Sequence, residues 1–303
     1  MSTATTVPET HHQDAGDARD QLRKTGTAQV FRDAVTRFRV AHGTSFARAL
    51  GHSSVLTLVP AVIAVIGLVT TFDMPGLKSL LEDAAQSFAP GPAGSILTES
   101  LARAQPSSGP TALLLGLAGM LLSGTIGMTH LERAANRIYG VEEERTPRRR
   151  FRLAFALAGT VEVMLILGLG VIVAGGSIGD GTNGSDAQGS GFWSVLRWPV
   201  GVALVAIAMT IIFRVIPNRR QPQFSWLLSG TTVSVVAWVL ATVLLGLFYE
   251  HATLLGESYG PLLGIIALLV WGYATGIAVL FGLSFAAQLE AERAGKREPV
   301  RTT

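Results

Sequence analysis

Six long apolar stretches, at 53–72, 112–128, 153–174, 200–216, 227–248 and 261–287, carry almost no charge. At about 1.5 Å per helical residue, roughly 20 residues cross about 30 Å of hydrocarbon, and each stretch approaches or exceeds that length. A helix satisfies its own backbone, so repeated uncharged segments of this size are stable in lipid. The fold class that follows is all-α: a polytopic integral membrane protein with six transmembrane helices. With 49% hydrophobic and 15% charged residues and a mean hydropathy of +0.42, a single soluble core would have too much apolar surface to hide.

The basic residues alternate with these stretches. Of the 24 lysines and arginines, only Lys78, Arg103 and Arg197 fall in the odd-numbered connections; the others precede the first stretch, follow the second, bracket the fourth-to-fifth connection from Arg214 to Arg220, or trail the sixth. By the positive-inside rule the rich side is cytoplasmic, which predicts both termini inside. Residues 1–27 are polar, lack an apolar h-region and read as a disordered cytoplasmic tail rather than a signal peptide. His11 and His12 in that tail have no further ligands to complete a metal shell. Residues 28–292 form the membrane domain and 293–303 a basic cytoplasmic tail.

From Val30 the pattern becomes amphipathic. Val30, Phe31, Ala34, Val35, Phe38 and Ala41 recur at helical spacing, with Arg32, Asp33, Thr36, Arg37 and Arg39 opposite, predicting an N-terminal interfacial helix and an elbow at His42-Gly43. The first external loop, 73–110, carries an apolar face at Leu77, Leu80, Leu81, Ala84 and Phe88. After Pro90-Gly91-Pro92 a second short helix is expected at 95–104. The second external loop, 175–191, has seven glycines in 17 residues, a flexible composition.

That loop contains Gly179, Gly181 and Gly184 as GxGxxG. The dinucleotide fingerprint works where a strand turns into a helix, and here it follows a membrane span. Asp180, Asn183 and Asp186 lack the EF-hand spacing. There is no GxxxxGK[ST], HExxH or GxSxG, and the six histidines do not cluster with carboxylates. The expectation is a non-enzyme without cofactor or metal site.

Packing leaves a sharper mark. Ala112, Gly116, Gly119, Ser123 and Gly127 form one small-residue seam in the second span, and Gly260, Gly264, Gly272 and Gly276 make two GxxxG steps in the sixth. Such seams let backbones approach where lipid removes the hydrophobic drive for association. Homodimerisation through either seam is the competing reading, so a homo-oligomer stays open. Pro60, mid-span in the first stretch, is a candidate helix kink, as a hinge or as plain architecture.

Glu162 is the one carboxylate deep inside a span, about 16 Å along the helix from Phe151. A lone charge there costs at least about 2.5 kcal/mol, so this side chain should be protonated, paired or facing water. His52 is the titratable residue expected near it. Glu162 and His52 are therefore the candidate intramembrane functional residues, weighed against a neutral Glu hydrogen-bonded to a neighbouring helix.

The segments NRIYGVEEERTPRRRF (136–151), ARALGHSSVLTLVP (47–60), RVIPNRRQPQFSWLLSG (214–230) and GESYGPLLGIIALLVWGYATGIAVLFG (256–282) resemble the YihY/virulence factor BrkB family of bacterial inner-membrane proteins, formerly mislabelled ribonuclease BN. The matching positions are Asn136, Tyr139, Gly140, Pro217, Asn218, Tyr259, Gly260, Trp271 and Gly282. The resemblance covers about residues 30–292. It implies an inner-membrane location and a role in envelope integrity through transport or handling of a lipid or other envelope component. The alternative is a scaffold that binds an envelope partner. Membrane lipids are the expected partners, with an envelope lipid or small molecule as substrate. No nucleic acid is expected, since membrane topology and anionic headgroups account for the basic loop 145–152. His52 and Ser53 depart from the aromatic residues usual in the family. Ser284 and Ala286 stand where a Glu and an Asn are usual, in the stretch from Gly282 through Gln288.

Overall fold

The computed structural model describes residues 4–9, 14–73, 109–142, 145–180, 187–251 and 261–300. The helices are α1 (Ala15–Thr25), α2 (Thr27–Val40), α3 (Gly43–Phe72), α4 (Gly109–Tyr139), α5 (Pro147–Asp180), α6 (Ala187–Val215), α7 (Phe224–His251) and α8 (Pro261–Arg293). Two helices expected in the first external loop, His11 and His12, and the family positions Tyr259 and Gly260 lie outside the described residues. Among the described residues, apart from one isolated bridge between Ala4 and Val300, the elements are helical.

Each of the six long helices holds one apolar stretch, that of α6 ending one residue past the helix. Helices α3, α4, α7 and α8 are long and apolar enough to cross a membrane, and α6 holds a shorter apolar run at Pro199–Val215. Large apolar side chains face outward along them, with Leu114 69% and Leu115 67% exposed. Apolar surface on this scale needs lipid or a partner to cover it. Helix α5 continues to Asp180 and α6 starts at Ala187, so helix enters both ends of the glycine-rich segment expected as loop. Glycine weakens a helix by about 1 kcal/mol per residue but does not forbid one already nucleated by an apolar run.

Each long helix packs on the next, and α8 returns to α3, which closes an antiparallel ring. The closest approaches occur where side chains are smallest. A Cβ added to Gly116 would fall on the backbone of Ala64, and one on Gly67 on Leu113; at Gly119 it would come 2.9 Å from the Pro60 Cβ. On the other flank of α3, Cβ atoms on Gly272 and Gly276 would come 2.9 and 2.7 Å from the Gly51 and Ala47 carbonyls. The seams of α4 and α8 therefore grip α3 between them. A third close approach joins α7 to α8, with a Gly230 Cβ 2.6 Å from the Gly282 carbonyl. Helix α3 runs through Pro60 unbroken, and the ring of this residue fills the space that Gly119 leaves.

The N-terminal segment differs from the disordered tail expected of its composition. Asp14 and Asp17 form a reciprocal capping box that starts α1, and Asp17 pairs with Arg293 of α8 at 2.9 Å. Gly26, at φ +88°, joins α1 to α2, and His42 adopts a left-handed conformation (φ 59°) at the elbow into α3. On α2, Val30, Ala34 and Phe38 are buried and the helix packs on α8. Arg37 departs from its expected place on the solvated face: it is fully buried. Seven residues after Val30, it shares the apolar face, and acceptors there replace water.

Candidate functional site

At the end of the bundle that carries the basic residues, α1 packs on α7 and α8, α2 on α3 and α8, and both tails join them in a buried polar base. Arg37 is its centre. Its guanidinium donates to Gln288 Oε1, to the Ile138 carbonyl and to the Thr5 carbonyl, each at 2.9 Å. Burial lowers the Arg37 pKa to about 10, still leaving it protonated at neutral pH. Beside it Arg219 pairs with Glu290 at 2.7 Å, donates to the Pro8 carbonyl at 3.0 Å and stacks 4.6 Å above the Tyr139 ring. Gln288 also donates to the Arg297 carbonyl at 2.9 Å, and so ties α8 to the C-terminal tail.

Family-motif residues build the adjoining wall. Asn136 Oδ1 accepts from the Asn218 backbone N–H at 2.8 Å, which fixes the α6–α7 connection to α4. Gly140 ends α4 at φ +65°, with its N–H on the Arg137 carbonyl and the next N–H on Asn136. A Cβ there would come 2.8 Å from the Ala4 carbonyl, so only glycine admits the N-terminal segment 4–9. The Val7 N–H then donates to the Tyr139 carbonyl at 3.0 Å. Glu132, 1% exposed, pairs with Arg145 at 3.1 Å and Arg150 at 3.8 Å. Arg145 also donates to the carbonyls of Ile216, Val215 and Pro217. Sequence reasoning singled out none of Arg37, Glu132, Arg219, Gln288 and Glu290. For Arg37 the available signal was its place seven residues after Val30, on the apolar face of its helix.

Higher in the ring, Glu162 of α5 is buried at 8% exposure, and no hydrogen bond or ion pair holds it among the described residues. His52 is exposed, flanked by the buried Gly51 and Ser53, so it faces away from the bundle. No hydrogen bond or ion pair joins His52 to Glu162. Pro60 lies in the α3–α4 seam against Gly119. Ser123 donates back to the Gly119 carbonyl at 2.8 Å, and a Gly127 Cβ would rest 3.5 Å from Ser53. Trp271 Nε1 donates to Thr242 at 3.2 Å and its ring meets Trp238 edge-on, while Gly282 leaves room for the Ser234 hydroxyl. Thr210 and Thr231 bond across α6 and α7 at 3.0 Å. Ser284, buried, bonds the Leu280 carbonyl, and Ala286 lies against Gly230; both departures from the family pattern suit close packing.

The virulence factor BrkB family model matches residues 34–302. The chain is similar to the putative ribonuclease-like protein YfkH of Bacillus subtilis, 24% identical over 255 residues, 83% of this chain and 91% of that protein. It is 30% identical over 269 residues to a UPF0761 membrane protein of Rhodospirillum centenum, covering 88% of this chain and 59% of the relative. A UPF0761 membrane protein of Rhodospirillum rubrum is 27% identical over 284 residues, 89% of this chain and 61% of that one. The chain thus spans about three fifths of the length of the two Rhodospirillum relatives. No solved structure matches it.

Proposed function

The chain belongs to the virulence factor BrkB family, and from that membership we propose that it crosses the bacterial inner membrane six times, both termini cytoplasmic, and transports or handles an envelope lipid or related component. The six apolar stretches and the antiparallel ring support six crossings. Gathering of the basic residues at the α1–α2 end supports that end as cytoplasmic, with α2 at the inner-leaflet interface.

The observation that carries the transport reading is Glu162, a carboxylate residue 8% exposed within the apolar stretch of α5. A carboxyl group in hydrocarbon is expensive and is retained where it binds, relays a proton or faces an aqueous path. The reading is non-enzymatic. The ribonuclease-like name belongs to the B. subtilis relative. In this chain Arg145 and Arg150, two of the arginines an RNA would need, are held by the buried Glu132.

A scaffolding role is the second reading, favoured by the tightly bonded base around Arg37 and by His52 pointing away from Glu162. Glu162→Gln separates the two, because it keeps shape and hydrogen bonding while removing titration. If the chain transports, the variant folds and inserts normally yet loses most of its activity in a lipid-flux or envelope-stress assay. Full activity in a folded variant removes Glu162 from the mechanism and leaves the scaffold.

A further inference from the structure

The arginines of the α4–α5 connection and the first turns of α5 divide into two sets that the sequence run RTPRRRFR does not distinguish. Arg145 and Arg150 are turned inward onto Glu132. Arg148, Arg149 and Arg152 are exposed, and no ion pair or hydrogen bond engages them among the described residues. They line an open depression of about 800 Å³ together with Thr146, Pro147 and Phe151. Phe151 is 52% exposed and stacks on Phe155, 43% exposed, with ring centroids 6.4 Å apart.

Two incompatible chemistries therefore sit side by side on one outward face. Three guanidiniums seek an anion with several oxygens, for which their planar donor forks are suited. Two stacked phenyl rings seek hydrocarbon. The offset follows the helix, since Phe155 lies seven residues after Arg148, about 10 Å further along α5. A soluble anion such as free phosphate satisfies the first requirement and leaves the rings bare. A molecule with a phosphate at one end and an acyl chain at the other satisfies both.

We propose that Arg148, Arg149, Arg152, Phe151 and Phe155 form a binding site for an anionic phospholipid, its phosphate among the guanidiniums and its acyl chain along the phenyl rings. The site needs only that the chain lies in a membrane, so it stands whether or not Glu162 supports transport. It is distinct from general attraction to a charged leaflet, because the buried ion pairs at Glu132 fix the register of the first α5 turns and hence the spacing of the three exposed arginines.

The test uses the full-length protein in nonionic detergent, with phosphatidylglycerol or phosphatidylcholine titrated in and bound lipid counted by native mass spectrometry. The wild type retains phosphatidylglycerol in preference to phosphatidylcholine. In R148Q/R149Q/R152Q the affinity for phosphatidylglycerol falls roughly 100-fold, from about fivefold per guanidinium. The charge-matched variant R32Q/R39Q/R48Q, altered at exposed arginines elsewhere, stays within about twofold of wild type. F151A/F155A weakens phosphatidylglycerol binding while the preference over phosphatidylcholine persists. Equal losses in the two triple variants would show diffuse charge and overturn the site. Complete displacement of phosphatidylglycerol by excess inorganic phosphate, or equal retention of phosphatidylcholine, would also overturn it.

Discussion

Replacing Arg37 with methionine tests whether the buried base holds the bundle together. The substitution keeps an apolar stem of similar length and strands the acceptors that the guanidinium served. The Thr5 carbonyl lies at the edge and regains water, whereas Gln288 Oε1 and the Ile138 carbonyl are buried with Arg37. An unsatisfied buried acceptor costs about 1–3 kcal/mol, so two give roughly 2–6 kcal/mol. Relief of the desolvation that depresses the Arg37 pKa offsets part of this, leaving about 3 kcal/mol, at the low end of what breaking a buried charged network costs. Arg39, two residues on and exposed, carries the same charge, and Arg39→Gln stays within about 0.5 kcal/mol of wild type. Unfolding in mixed detergent micelles titrated with dodecyl sulfate, followed by tryptophan fluorescence, reads both. Adding Gln288→Leu to Arg37→Met removes one stranded acceptor, so the double variant is less damaged than the sum of the singles by about 1 kcal/mol or more. Arg37→Met as stable as Arg39→Gln, or strict additivity with Gln288→Leu, would refute this account of the base.

Gly116→Leu drives a side chain onto the Ala64 backbone and should lower stability by about 1–3 kcal/mol in the same titration, while Leu115→Phe on the exposed face is mild; equal stability of the two removes the α3–α4 seam as a determinant. The hydrogen bond and charge of Arg293 hold the Asp17 carboxyl below its ordinary pKa. This contribution to α1 docking is present above the unperturbed carboxylate range and is lost as pH falls through the lowered value. A spin label at Arg19→Cys reports it as added mobility at low pH, and a label already mobile at neutral pH would contradict the pairing. In intact cells an impermeant thiol reagent should label Ser87→Cys and Ser185→Cys but reach Ser225→Cys only after permeabilisation; the reverse pattern inverts the topology.

The helices were legible because length and absence of charge are properties of a local stretch, and lipid leaves few other ways to satisfy the backbone. Small residues at helical spacing likewise pointed at the faces where α4 and α8 meet α3. The base was not legible. A charged residue on an amphipathic helix was assigned to water, yet Arg37 finds its acceptors 101 and 251 residues away in sequence, at Ile138 and Gln288. The tail at 4–9 has no apolar pattern to betray it, because it is held mainly through backbone groups, which composition does not encode. The motif Asn136, Tyr139, Gly140 was visible as a resemblance, but its work of receiving the N-terminal segment and the α6–α7 connection needed the geometry.

Inside a bilayer, apolar contact does not prefer a neighbouring helix over lipid, so the order of the helices must come from other interactions. Here two kinds do it. Glycine seams fix α3 against α4 and α8, and α7 against α8, at separations where no Cβ fits. Buried polar contacts then pin the ends of α4, α6 and α8 to α2 and the tails. Helix α5 is held differently: its contacts with α4 have ordinary spacing, a Gly124 Cβ lying 3.4 Å from Ala158 and a Gly159 Cβ 3.6 Å from Leu121. Glu162 lies beyond the Glu132–Arg150 pair that ties the first turns of α5 to α4, in the part of the helix that meets α4 at these ordinary distances. On the transport reading, the carboxylate reaches water by movement of the part of α5 beyond its first turns, because opening the base would first strand the acceptors of Arg37 and separate Arg150 from Glu132 and Arg219 from Glu290.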